Sequence, residues 1–420
     1  MTYRLLITQI NRPPGYSVAL ALRRAGWVDR VVATSVIPPS VFVRGSRAFE
    51  AVLHLPIPKP VGDESLDAAC RRYVDAVLDI CRRYDLNAIW PCNDEEIRAV
   101  AMHRDVLTAS GITCFVNDYT VASRALDKFQ VSGLAHEVGF PAPASVELSA
   151  LEGGDELAGI TFPMIIKADS SSGATGVLKV WNEQERNAAI AHLLDMHGAV
   201  HVEEYVRGDE EISINAVRYA DGRLACCFGL RKFRYIHPSW STSCQVIELS
   251  SKVIADTKRL LDGLGVVGAI AIQTKTDAVT GEYKLIEVNQ RFGGISRVLI
   301  PMIPGLCEAA AVALEGKSGP AVEVPYGRYG ASIGDDVIAF FVFIAYKIRG
   351  RSGLDNKPPS FAAMLRSYYR TYRNRPALDD YTKAALSDPL FYIGFMGLIV
   401  RLEWRLPKSW ASLIPWGAAR

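Results

Sequence analysis

No apolar run in the 420-residue sequence approaches the roughly 20 residues that a bilayer-crossing helix needs, so no membrane span is expected. The eight cysteines are scattered and none forms a CxxC pair; Cys226 and Cys227 are adjacent, a poor geometry for bridging each other. No low-complexity tract and no repeat is detectable, which leaves an ordinary globular chain of two or three structural units. Charge of either sign is not in excess: the net value of +2 gives no case for a nucleic-acid partner. The opening "MTYRLLITQI" lacks a longer apolar stretch with a cleavage site and reads as a first strand rather than a secretory signal. A reduced, cytoplasmic protein is the expectation. The charge is uneven, however, since from about residue 345 onward Lys and Arg outnumber Asp and Glu by roughly eight.

Strand and helix patterns alternate over residues 1–117. "RLLITQI" is a strand, "NRPPGYSVALALRRAG" a loop and a helix ending at Gly26, and "RVVATSV" the next strand. "DAACRRYVDAVLDICRRYDL" has helical spacing and "NAIWPC" is a buried strand, while "NDEEIRAVAMHRDVLTASG" opens on an Asn/Asp cap with acidic residues in its first turn. This alternation predicts a small parallel α/β domain. Residues 118–145 are predicted helical, and "FPMIIKADSSSGATGVLKVW" reads strand, Gly/Ser loop, strand, with Asn182 and Glu185 as a capping box for the next helix. "AVHVEEYVRGDEEISINAVRY" reads as two strands around a turn at Gly208, and the polar stretch 231–245 as a loop. A helix over 250–264, a hairpin over 267–289 and a helix over 304–316 follow.

The hairpin strand "LIEVNQRFGG" places Glu287 and Asn289 on one face, with Arg291 one step on. With the turn "DAVTGE" at its centre, Gln273 is expected opposite Glu287, and Lys275 opposite Leu285. Gln273, Glu287 and Asn289 would form a cluster of oxygen ligands of the kind Mg²⁺ takes alongside phosphates and water. An edge strand with a solvated polar face is the plainer alternative. In "IIKADSSSGATG", Lys167 ends an apolar strand and a small loop with Gly173 and Gly176 follows, whose backbone amides can approach phosphate oxygens. The lysine precedes the glycines, so this is not a Walker A loop. "VEEYVRGDEE" could offer backbone groups to a purine and Glu210 to ribose hydroxyls; "ALDKFQ" sets Lys128 at the start of a helix.

Lys128, Lys167 with its loop, Glu203 to Glu210, Gln273, Glu287, Asn289 and Arg291, in that order, resemble the ATP-grasp superfamily of carboxylate-activating ligases over about residues 1–320. Gln273 and its distance from Glu287 look most like the carbamoyl phosphate synthetase branch, although the family's "EVNPR" stands here as "EVNQR". The resemblance implies an α/β and α+β protein: a Rossmann-like pre-ATP-grasp domain over 1–117 and a two-lobed ATP-grasp domain over 118–325, its lid at about 162–225. Residues 326–420 lie beyond the resemblance, and their own composition gives the expectation of a helical, basic and aromatic C-terminal extension. By resemblance, Lys128 and Lys167 contact phosphates and the loop with Ser171, Ser172, Gly173 and Gly176 closes over them. Glu203, Glu204, Tyr205 and Val206 hold adenine and Glu210 ribose. Gln273, Glu287 and Asn289 ligate Mg²⁺, with Mn²⁺ as a substitute, and Arg291 stabilises the transferred phosphoryl group.

The expected activity is activation of a small-molecule carboxylate by ATP as an acyl phosphate and its coupling to an amine. A bicarbonate-activating enzyme and a non-catalytic nucleotide-binding regulator are the alternatives. Arg231, Arg234 and Ser243 in the polar stretch, and Arg297 after the glycine pair, are candidates for holding an anionic substrate. The apolar, basic and tyrosine-rich tail could dock a membrane surface or a protein, or pack as extra helices on the core. A homodimer is a further expectation.

Overall fold

The computed structural model describes residues 2–10, 13–148, 159–169, 176–208, 210–237, 240–349, 360–389 and 392–393. Alternation in the first part of the chain produces β1 (Tyr3–Ile7), α1 (Pro13–Arg24), β2 (Val28–Ser35), α2 (Val41–Arg44), β3 (Ala51–His54), α3 (Leu66–Tyr84), β4 (Ala88–Trp90), α4 (Asp94–Met102), α5 (Arg104–Ala109) and β5 (Thr113–Cys114). The five strands are parallel in the order β3-β2-β1-β4-β5. Helix α3 shows why: Ser65 accepts the amide of Ala68 at its start, Asp85 ends it in the left-handed region, and Ala69, Tyr73, Val74 and Val77 bury one face. The short α2 and β3 carry too few residues for a periodic signal and were not expected. The single helix expected after Asn93 is broken at His103, whose φ of −115° and ψ of 32° leave the helical range.

A bend at Asp127 divides the next helical stretch into α6 (Tyr119–Leu126) and α7 (Lys128–Glu137). A four-stranded antiparallel sheet follows, ordered β6-β9-β7-β8, from β6 (Ser145–Glu147), β7 (Met164–Ala168), β8 (Val177–Val180) and β9 (Val200–Glu204). Helix α8 (Glu183–His197) covers it with Ala189 and Leu193 against Met164, Ile166 and Val202. Of the expected capping box, Asn182 accepts the Glu185 amide as the cap should, while Glu185 reaches back to the amide of Trp181, one residue before the cap, rather than to that of Asn182. The sheet expected over about 162–225 therefore begins earlier, at β6, and ends at β9, while Glu211–Arg218 belong to the next sheet.

The third unit contains β10 (Glu211–Arg218), β11 (Leu224–His237), β12 (Trp240–Ile247), α9 (Ser251–Leu264), β13 (Gly268–Thr276), β14 (Tyr283–Asn289), α10 (Ser296–Leu299), α11 (Leu306–Leu314), β15 (Tyr329–Ala331), α12 (Ile333–Arg349), α13 (Phe361–Arg373), β16 (Ala377–Leu378) and α14 (Asp380–Ser387). Its sheet is ordered β14-β13-β10-β11-β12-β15-β16. The strands around Gly208 thus belong to different sheets, and the connection is pressed against the β13–β14 turn. Arg207 accepts the Ala278 amide at 2.6 Å, and a Cβ on Gly208 would lie 2.0 Å from the Thr276 carbonyl oxygen. Only glycine tolerates that approach.

Two expectations are corrected here. Residues 231–237 and 240–245 are not a loop but the paired ends of β11 and β12, with Arg231 opposite Gln245 and Phe233 opposite Ser243. The segment after 326 is not only a helical extension: β15 and β16 are strands of the main sheet. Its helices are fastened to that sheet by buried charges. Arg234 is bonded to Asp336 at 2.6 and 2.9 Å and to the hydroxyls of Ser367 and Thr371, each at 3.0 Å, with the Tyr368 ring beneath it at 4.2 Å. Packing on the core is the alternative that the described tail follows. Among the described residues no single helix is long and apolar enough to cross a membrane.

Candidate active site

The β13–β14 hairpin sets Gln273 opposite Glu287 and Ala271 opposite Asn289, as the strand period requires. Directly beyond, the register slips: Thr274 pairs with Leu285 and Lys275 with Lys284, so Lys275 does not face Leu285. Ile286 is the extra residue of this bulge, and its carbonyl accepts the Lys167 ammonium at 2.9 Å. Asn289 donates to Glu287 Oε1 at 3.1 Å, and Gln273 donates to Ser213 at 3.2 Å. The Lys232 ammonium donates to Gln273 Oε1. Burial pulls the Lys232 pKa down, against the nearby carboxylates of Glu211 and Glu287.

Across from this strand, Lys167 and Glu203 form a buried ion pair of 2.7 Å. Burial opposes the Glu203 charge, but Lys167 and His201 outweigh it and hold its pKa below the usual carboxylate range. Lys128 starts α7, capped by Asp127, and its amide donates to the Asp169 carbonyl at 3.0 Å. Burial lowers its ammonium pKa despite the attraction of Glu287. Gly176 closes the Gly/Ser loop with its carbonyl on the Ala168 amide at 2.8 Å; Ser171, Ser172 and Gly173 lie outside the described residues. Of the strand end, Glu204 is paired with Lys284 at 3.1 Å, the Tyr205 ring lies 3.6 Å from the Lys179 ammonium, and Val206 is buried. Glu210, half exposed, pairs with Arg231 at 2.6 Å.

The N-terminal unit completes the cleft. Asp94, Glu95 and Arg98 of α4 line it together with Lys128, Glu287 and Asn289. Arg291 makes a two-point pair with Asp94 at 2.7 and 2.8 Å. Burial would lower its pKa, and Asp94 reverses that to a raised value. The sequence reading missed Asp94, Arg98 and the role of Lys232. The only trace of Asp94 was its place in an acidic, Asn-capped helix start.

Of the four expected substrate groups, Arg297, Arg234 and Ser243 are buried, and Arg231 is paired with Glu210. Arg297 is fully buried, donating to the carbonyls of Gly294 at 2.9 Å and Ser241 at 3.1 Å, bonded to Asp335 and 3.7 Å from Asp379. Arg234 is the tail's anchor described above. Ser243 is buried inside the sheet between Phe233 and Ala331, and Arg231 is held by Glu210. Strand geometry, rather than a flexible loop, fixes all three residues of β11 and β12.

The donor set suits a hard divalent cation: one carboxylate on Glu287 and the amide oxygens of Gln273 and Asn289. The Lys232 ammonium resting on Gln273 Oε1 shows that this oxygen already attracts a cation. No group of three or more His, Cys, Asp or Glu side chains capable of holding a metal exists among the described residues. Phosphate oxygens and water would therefore have to complete any such shell.

Lys167 of the four-stranded sheet and Lys128 at the start of α7 thus lie beside the oxygen-bearing residues of β13 and β14. Residues 134–291 match the ATP-grasp domain family, and the chain carries an ATP-grasp domain. That domain is homologous to the carbamoyl phosphate synthase large chain: the N-terminal section from Methanopyrus kandleri is 26% identical over 181 residues, covering 40% of this chain and 32% of that one. D-alanine–D-alanine ligase A of Bacillus cereus is 23% identical over 145 residues, covering 32% and 48%. The matches thus span about a third to a half of these relatives' lengths. The fold is shared with the biotin carboxylase domain of the Hydrogenobacter thermophilus 2-oxoglutarate carboxylase, solved as a dimer with MgADP, ADP and bicarbonate. The TM-score is 0.62 at 15% identity, over 78% of this chain and 74% of that one.

Proposed function

We propose that the chain is an ATP-dependent ligase that activates a small-molecule carboxylate as an acyl phosphate and joins it to an amine, releasing ADP and phosphate. The observation that supports this reading is that Glu287 and Asn289 line a cleft with Lys128, Gln273 stands opposite Glu287 on the paired strand, and Lys167 is bonded to the bulge beside them. A carboxylate and a triphosphate repel each other, and catalysis of phosphoryl transfer consists largely of offsetting that repulsion and aligning the partners. Lys128 from the start of α7 and Lys167 from β7 would neutralise phosphate oxygens. Glu203 to Val206 and Glu210 would hold the nucleoside, and the Gly/Ser loop would cover the phosphates. Gln273, Glu287 and Asn289 would hold Mg²⁺ or Mn²⁺, which would supply charge neutralisation between the phosphate oxygens. Arg291, oriented by Asp94, would stabilise the phosphoryl group in flight. The lid would exclude the water that destroys an acyl phosphate.

Bicarbonate as the activated acid is a second reading, favoured by the homology to carbamoyl phosphate synthase. The eight free, buried cysteines agree with a reducing compartment such as the cytoplasm. ADP release measured over a panel of carboxylates, each with a panel of amines, tests both readings. Formation of ADP only when both an acid and an amine are present supports the ligase; dependence on bicarbonate supports the second reading. Tight ATP binding with no turnover in any combination would overturn both and leave a nucleotide-binding regulator.

A further inference from the structure

His201 is fully buried, yet both ring nitrogens meet carboxylates: Nδ1 lies 2.6 Å from Asp169 Oδ1 and Nε2 3.1 Å from Glu203 Oε1. A neutral imidazole carries one N–H and can donate to only one of these; the other nitrogen would set its lone pair against an oxygen. An imidazolium satisfies both. The two carboxylates are not arbitrary. Asp169 is the last described residue before the Gly/Ser loop, and its carbonyl takes the Lys128 amide. Glu203 is the partner of Lys167, whose ammonium also reaches the Ile286 carbonyl. A continuous line of bonds therefore runs Asp169–His201–Glu203–Lys167–Ile286, from the root of the loop to the bulge beside Glu287.

We propose that His201 is a positioning residue, held as an imidazolium, that fixes the root of the Gly/Ser loop and the Lys167–Glu203 pair for nucleotide binding. This rests on the nucleotide-site reading above. The charged groups facing the ring are Asp169 and Lys167 from the end of β7 and Glu203 from β9; α7 contributes the uncharged Phe129 ring at 5.4 Å. Burial opposes the imidazolium, but the bonds to Asp169 and Glu203 outweigh it, so the His201 pKa lies above its ordinary value. A group raised in this way contributes fully below its ordinary value and loses its contribution as pH rises through the raised one. Nucleotide binding should weaken on the alkaline side accordingly.

The test uses the full chain, with MgADP as the probe in calorimetric titrations between pH 6 and 9 and ¹⁵N-labelled histidine in NMR spectra. Both His201 ring nitrogens are expected to be protonated at pH 7. His201→Gln should weaken MgADP binding about tenfold near neutrality, the scale of one bond to a charged group, and flatten the pH profile. Asp169→Asn gives a second route if that variant does not fold: it should move the His201 midpoint down and carry the alkaline loss of binding with it. A single neutral tautomer at pH 7, or a pH profile unchanged in both variants, would overturn the proposal. Absence of MgADP binding by the unaltered chain at every pH would instead sink the nucleotide-site reading, and the ring-nitrogen shifts would still decide the charge on His201.

Discussion

Replacing Arg297 by methionine should destabilise the fold strongly, and more so at alkaline than at acidic pH. The guanidinium sits just past the glycine pair that follows β14, and it is shared by Asp335 at the start of α12 and Asp379 before α14. All three side chains are buried. Methionine fills similar space but leaves the two carboxylates without their common cation. Removing one partner from such a buried group costs about 3–5 kcal/mol, because the remaining charge is not resolvated. For a unit of this size that corresponds to a fall in Tm on the order of 10 °C. The pH dependence follows from Asp379. Burial pushes its carboxyl up to about 6, with Arg297 working against burial. A carboxyl raised in the folded state costs stability once pH exceeds its ordinary value of about 3.9, and the cost is complete above the raised value. Without Arg297 the raised value climbs further, so the penalty extends to higher pH and disappears on acidification. Thermal and urea unfolding at pH 5 and pH 8 measures both effects. A Tm unchanged to within about 1 °C, on the same scale of conversion, or a deficit that grows on acidification, would refute the reasoning.

Gly208→Ala should detach the connection between the two sheets, because its Cβ would lie 2.0 Å from the Thr276 carbonyl oxygen; we expect a loss of about 1–3 kcal/mol in urea unfolding together with weaker nucleotide binding, and an unaltered variant would contradict the close approach. Asp94→Asn weakens the two-point hold on Arg291, so ADP formation should fall at least about tenfold while MgADP affinity stays near normal; equal losses in both would mean that Asp94 supports binding rather than transfer.

Strand periodicity alone was enough to place Gln273 opposite Glu287, because a short turn fixes the register of a hairpin. It could not show the bulge at Ile286, which turned Lys275 toward Lys284 and released the carbonyl that Lys167 uses. Residues 231–245 looked like a loop because polar side chains interrupt the pattern; in the fold Arg234 is satisfied by Asp336, Ser367 and Thr371, all distant in sequence. The same holds for Arg291 and Asp94, which meet across 197 positions. His201 reads as an ordinary strand residue, since one of its two carboxylates, Asp169, stands just past the end of the neighbouring strand. The tail was harder still: its tyrosines and arginines suggest a surface, whereas Tyr372 and Thr371 are bonded into the buried Arg234–Asp336 cluster.

Calorimetric titration of a non-hydrolysable ATP analogue into the unaltered chain and into Glu287→Gln, each with and without Mg²⁺, tests the central claim most directly. The account predicts that Mg²⁺ strengthens binding to the unaltered chain and that Glu287→Gln removes this gain without lowering Tm. Binding that ignores Mg²⁺, or a gain that survives in Glu287→Gln, would contradict it.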